Sequence, residues 1–81
     1  MRYACPCCDY LTFEDKPSGT FDICPVCGWE DDEVQLQDPN YTGGANIVSL
    51  EQARNNFRKF GAIDKKSLSF VRQPLPEELK S

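Results

Sequence analysis

The chain has 81 residues, a net charge of −4, no histidine and five cysteines. A domain this short buries a modest core, and below roughly 70–80 residues natural domains usually need a metal or disulfides as a staple. Without histidine, the commonest metal ligand and the usual general base are both missing, and no apolar run is long enough for a signal-peptide core or a membrane span. These bounds predict one domain over 1–81 in a reducing cytoplasm, where clustered cysteines hold metal more often than they pair as disulfides.

In chain order, the first feature is Cys5-Pro6-Cys7-Cys8. From Tyr10 the pattern alternates through Leu11, Thr12 and Phe13, breaks at Lys16-Pro17-Ser18-Gly19, and resumes at Thr20, Phe21, Asp22 and Ile23. Alternation on either side of turn residues predicts a two-stranded hairpin with its loop near 14–19. A lone hairpin is marginal in water, but this one starts after Cys8 and ends before Cys24, so a metal would clamp its open end. The second cysteine pair follows as Cys24-Pro25-Val26-Cys27-Gly28.

Residues 30–48 are irregular, with a short strand near Val34–Leu36 as one reading and Gly43-Gly44-Ala45-Asn46 as a turn into the next element. That glycine pair lacks the Lys-Ser/Thr ending of a phosphate loop. A helix is predicted over 50–60. Ser49 is a good N-cap, with Gln52 placed to complete a capping box. Leu50, Ala53, Phe57 and Phe60 share a face, and Gly61 supplies the C-terminal stop. Asp64–Leu68 is read as a further helical turn and Gln73–Glu78 as an extended, frayed tail. The expected fold is small α+β. A zinc-ribbon-like β-hairpin with two cysteine knuckles (1–36) leads through a loop (37–48) to one C-terminal amphipathic helix (49–61) and an extension (62–81).

The spacing Cys5-x2-Cys8-x15-Cys24-x2-Cys27 is a zinc-site signature. Two intervening residues let one tight turn aim both sulfurs at a single ion, and the long spacer brings the second turn to the opposite side. Pro25 presets a turn dihedral, and Gly28 suits the positive φ of a knuckle. Asp9 occupies the matching place in the first turn and tolerates that region better than most residues. The expectation is one Zn2+ per chain on Cys5, Cys8, Cys24 and Cys27, with iron as the alternative ion. Four protein ligands close the coordination sphere, which marks a structural site and not a catalytic one. Cys7 is left over, read either as a small buried residue or as a redox-sensitive thiol beside the metal.

These residues resemble the cysteine-rich CPCC family of small bacterial proteins. The resemblance rests on Cys5-Pro6-Cys7-Cys8, Cys24-Pro25-Val26-Cys27, Trp29-Glu30-Asp31-Asp32, Asp38-Pro39, Tyr41, Gly43-Gly44-Ala45-Asn46 and Ser49-Leu50. It continues through Ala53-Arg54, Asn56-Phe57 and Phe60-Gly61-Ala62, and it spans most of the chain. Asp9, where the family has glycine, is its one departure. The resemblance implies a shared fold and brings no activity with it. The two knuckles are also similar to those of rubredoxin, with a shorter spacer.

Charge and motifs then sort the function classes. Residues 1–41 carry nine acids against two bases, residues 42–81 four acids against seven bases. Phosphate backbones are bound through Lys and Arg, so nucleic acid is not expected at the cysteine-bearing half. Trp29 is expected to pack on the hairpin or over the thiolates, with Glu30–Glu33 solvated or forming an acidic docking face around an aromatic anchor. The leading expectation is a non-enzymatic protein-interaction module, monomeric or weakly oligomeric, one version being an acidic inhibitor or immunity-type protein for a basic enzyme. The alternative is a rubredoxin-like iron electron carrier. A thiol–disulfide enzyme ranks last, because no helix pattern follows either C-x-x-C.

Overall fold

The computed structural model of the chain describes residues 2–79. Its regular elements are two α-helices, α1 (Glu33–Gln37) and α2 (Leu50–Phe60), and two 3-10 turns, Lys66–Ser69 and Pro76–Glu78. The expected hairpin between 10–13 and 20–23 is not found, and no sheet forms among the described residues. Each segment instead pairs across its own cysteine turn, through the isolated antiparallel bridges Tyr3 with Phe13 and Ile23 with Glu30. The alternation did not mark continuous extended backbone either, since Phe21 has a φ of 62° and the Thr12 amide turns back to Tyr10 O at 2.9 Å. It carried no information about which neighbour that backbone would meet.

The two cysteine turns are built alike. In the first, the Cys5 amide donates to Tyr10 O at 2.9 Å and the Asp9 amide to Cys5 O at 2.9 Å. In the second, the Cys24 amide donates to Trp29 O at 2.8 Å and the Gly28 amide to Cys24 O at 2.9 Å. Asp9 and Gly28 occupy the same place in the repeat, with φ of 69° and 90°. Only the second position demands glycine for space, since a Cβ on Gly28 would lie 2.9 Å from the Ser67 side chain.

Helix α2 follows its sequence signals closely. The Ser49 hydroxyl accepts from the Gln52 amide at 3.1 Å, and Gly61 ends the helix in the left-handed region. The Gln52 side chain does not turn back to close a capping box; it reaches forward to Asn56. Leu50 and Ala53 are fully buried, and the Phe57 ring meets Tyr10 edge-on at 6.3 Å. Arg54 donates from Nε to Pro6 O at 2.9 Å and so ties the helix to the first knuckle.

Between the knuckles and α2, residues 30–48 are ordered by a buried polar hub. The segment expected as a short strand is α1, capped by Asp32, whose Oδ1 accepts from the Val34 and Gln35 amides. Gln35, 0 % exposed, donates from Nε2 to Tyr41 O and Val48 O and accepts on Oε1 from the amide and side chain of Asn46. Asn46 in turn exchanges two hydrogen bonds with the Glu30 backbone. A Cβ on Gly44 would sit 2.6 Å from Asp32 Oδ2 and 2.8 Å from Gln35, so the loop can pass the hub only as glycine.

The C-terminal segment is not a frayed tail. The Arg72 amide donates to Pro25 O, the Leu11 amide to Glu78 O, and the buried Glu78 carboxylate takes two hydrogen bonds from the Arg72 guanidinium at 2.8 and 3.0 Å. The apolar pattern of 73–78 is weak, and a lone glutamate reads as solvated; its docking depends on an arginine six residues earlier.

Candidate metal centre

Burial in this protein centres on sulfur. Cys5, Cys24 and Cys27 are at most 1 % exposed and lie in one cluster with Phe13, Val26, Trp29, Leu50, Ala53 and Ile63. The Sγ atoms of Cys5, Cys8, Cys24 and Cys27 all lie within 4.8 Å of one another. The separations Cys5–Cys27 and Cys8–Cys24 are 3.6 and 3.7 Å, far beyond a disulfide bond of about 2.05 Å. A tetrahedron of sulfurs about 2.3 Å from a central ion has an edge of about 3.8 Å. The two separations match such an edge, the others lie within 4.8 Å, and the set could hold one metal ion. Zinc and iron share this geometry with thiolates.

Their electrostatics point the same way. Thiols packed this closely cannot all ionise unaided. Cys24 is pulled far down because the Cys27 thiol, then those of Cys5 and Cys8, donate to it, assisted by the Thr12 hydroxyl at 3.1 Å. Bonding to Cys24 is the foremost cause pushing Cys5, Cys8 and Cys27 far up, and burial adds to it. Such crowding opposes ionisation of all four together, and a divalent cation is what would let them shed their protons.

Hydrogen bonds to the sulfurs are uneven. The Cys7 amide donates to Cys5 Sγ and the Trp29 amide to Cys27 Sγ, each at 3.4 Å, and the Thr12 hydroxyl serves Cys24. Apart from the neighbouring thiols of the cluster, no donor reaches Cys8 Sγ among the described residues. Cys8 is also partly exposed where the other three are enclosed. Cys7 is buried at 8 % exposure and lies outside the four-sulfur group.

The surroundings hold residues whose roles the sequence did not reveal. Trp29 is fully buried, as expected, but two of the four acids after it are buried as well. Asp31 Oδ2 accepts from the amides of Ser18, Gly19 and Thr20 and from the Thr20 hydroxyl, all at 2.9–3.0 Å. Burial pushes this carboxyl up, but those donors outweigh it and hold it below its usual range. Asp32 is held down first by the Ala45 amide, against burial, with the Gln35 and Val34 amides helping. These acids fasten the inter-knuckle loop and the glycine loop to the frame. The expected acidic face shrinks to Glu30 and Glu33.

Two tight turns, related by the same backbone pattern and converging on four cysteines, define a small cysteine-knuckle protein with a potential metal centre. The Cysteine-rich CPCC family matches residues 3–78, almost the whole chain, and the protein belongs to that family. Among curated proteins, no sequence matches it closely enough to count as a relative.

Proposed function

We propose that this is a structural zinc protein without catalytic activity, whose metal-stapled frame presents the segment 33–47 to a protein partner. The observation that carries the reading is the closed set of four sulfurs at tetrahedral spacing. Such a set leaves no open position for substrate. The turns that carry the four cysteines also hold α2 and the C-terminal segment in place. The Ile63 amide donates to Cys27 O, Arg54 grips Pro6 O and the Arg72 amide reaches Pro25 O. Four cysteines drawn together without a disulfide suit a reducing compartment such as the cytoplasm. No helix among the described residues is long and apolar enough to cross a membrane.

The partner surface follows from the hub. Gln35, Asn46 and Asp32 fix the course of 33–48 from within, while Val34, Tyr41 and Ile47 are 53, 40 and 67 % exposed. A rigid loop bearing exposed apolar side chains is inexpensive to bind, because little conformational freedom remains to be lost. Elemental analysis of natively purified protein tests the metal. The expected result is about one equivalent of zinc in a colourless sample, and a red sample containing iron would favour the electron-carrier reading. Chelation at neutral pH should abolish the native circular dichroism, since binding energy in such small domains is folding energy. Retention of native structure without metal would refute the staple.

A further inference from the structure

The four sulfurs are not equivalent, and the difference has a chemical consequence. A metal-bound thiolate keeps its nucleophilicity to the extent that its lone pairs are reachable and unshared. Hydrogen bonds draw density from it, and burial blocks approach. Cys5, Cys24 and Cys27 are protected on both counts. They are 1, 0 and 0 % exposed, and each takes a hydrogen bond from Cys7 N, Thr12 Oγ1 or Trp29 N. Cys8 is protected on neither, being partly exposed and without an N–H or O–H donor among the described residues. The repeat in the backbone makes the contrast sharper. The Tyr10 and Trp29 carbonyls play the same part in the two turns, but the amide two residues after Cys27 serves its sulfur, and no matching bond to Cys8 Sγ is made among the described residues.

We propose that Cys8 is the reactive sulfur of the centre, a modification site at which soft electrophiles such as activated alkenes meet the thiolates first. The inference rests on the metal-loaded state of the preceding reading. With a maleimide, Cys8 Sγ adds to one alkene carbon, the π pair moves to the other carbon as an enolate, and that carbon takes a proton from water. The sulfur leaves as a neutral thioether, a far poorer donor, so the staple opens at the first knuckle. The second knuckle is held by the Ile63 and Arg72 amides, which donate to Cys27 O and Pro25 O, and its two cysteines are fully buried. Metal release is thereby coupled to the one residue of the four that is not buried.

The test treats the metal-loaded full chain with N-ethylmaleimide at well below one equivalent. The labelled cysteines are mapped by mass spectrometry, and freed metal is followed with a chromogenic chelator. Cys7, which is not one of the four, is scored separately. One hydrogen bond to a charged acceptor corresponds to about tenfold in rate. Labelling at Cys8 should therefore exceed that at Cys5, Cys24 and Cys27 each by at least about tenfold, with metal released in step with Cys8 modification. Equal labelling of the four, or preference for a buried one, would overturn the proposal. Elemental analysis of the same sample separates the two levels: a chain purified with no tightly held metal defeats the metal reading and this inference with it, whereas a loaded chain labelled evenly defeats this inference alone.

Discussion

Replacing Asp31 with alanine isolates a carboxylate that looks solvated in sequence and is 0 % exposed in the fold. Its Oδ2 takes four hydrogen bonds from the loop 18–20, while its Oδ1 is buried without a partner among the described residues. A hydrogen bond to a charged acceptor contributes about 1.5–3 kcal/mol net, but four on one oxygen share a single charge and do not add. Ser18 and Thr20 are exposed, so water recovers part of what their amides lose. Two effective bonds at the lower end give about 3 kcal/mol, and relief of the orphaned oxygen returns about 1 kcal/mol. The expected cost is therefore about 2 kcal/mol, a large share of the roughly 4–12 kcal/mol available to a chain of this length. Urea unfolding followed by Trp29 fluorescence, at fixed free zinc, measures it; Asp15→Ala, in the exposed loop, should change stability by less than about 0.5 kcal/mol. The sign with pH follows from a carboxyl held below its usual 3.8. Its contribution is present above that value and is lost as pH falls through the lower folded value, so the gap between wild type and Asp31→Ala should close in acid. An Asp31→Ala protein within about 0.5 kcal/mol of wild type at neutral pH would refute the account of this residue.

Gly44→Ala should cost about 2 kcal/mol by overpacking, because its Cβ would meet Asp32 and Gln35. Gly61→Ala, with no atom within 4 Å but φ of 90°, should cost about 1 kcal/mol through backbone strain alone; chemical unfolding distinguishes the two. Glu78→Gln should loosen the C-terminal segment by about 2 kcal/mol and speed tryptic cleavage after Arg72. The Arg72 guanidinium, against burial, holds the Glu78 carboxyl below its usual 4.5. That contribution is complete above 4.5 and disappears as pH falls through the folded value, so the wild-type segment should become as loose as the variant's only in acid, where pepsin replaces trypsin as the probe. Chelation should shift Trp29 emission to the red, since a fully buried indole whose amide serves Cys27 loses both surroundings together.

What the sequence by itself determined is whatever a few neighbouring residues decide. The C-x2-C turns, with Asp9 and Gly28 in the left-handed region, are local geometry. So are the Ser49 cap and the Gly61 stop of α2, and each was legible from spacing and residue type. Decisions that depend on distant chain belonged to the tertiary structure. Alternation at 10–13 and 20–23 suggested paired strands, but Phe21 is left-handed, and Phe13 found Tyr3 and Ile23 found Glu30, because each turn brings its own flanks closer than the spacer brings the two segments. Asp31, Asp32 and Glu78 read as solvated because a carboxylate is hydrophilic until donors converge on it. Here the donors come from residues 18–20, 45 and 72. Gln35 gave no signal either, since an amide can join a hub only once the loops around it are in place. The same holds for the inequality of the four sulfurs. Spacing makes them candidate ligands, and only the packed chain leaves Cys8 partly exposed where the other three are buried.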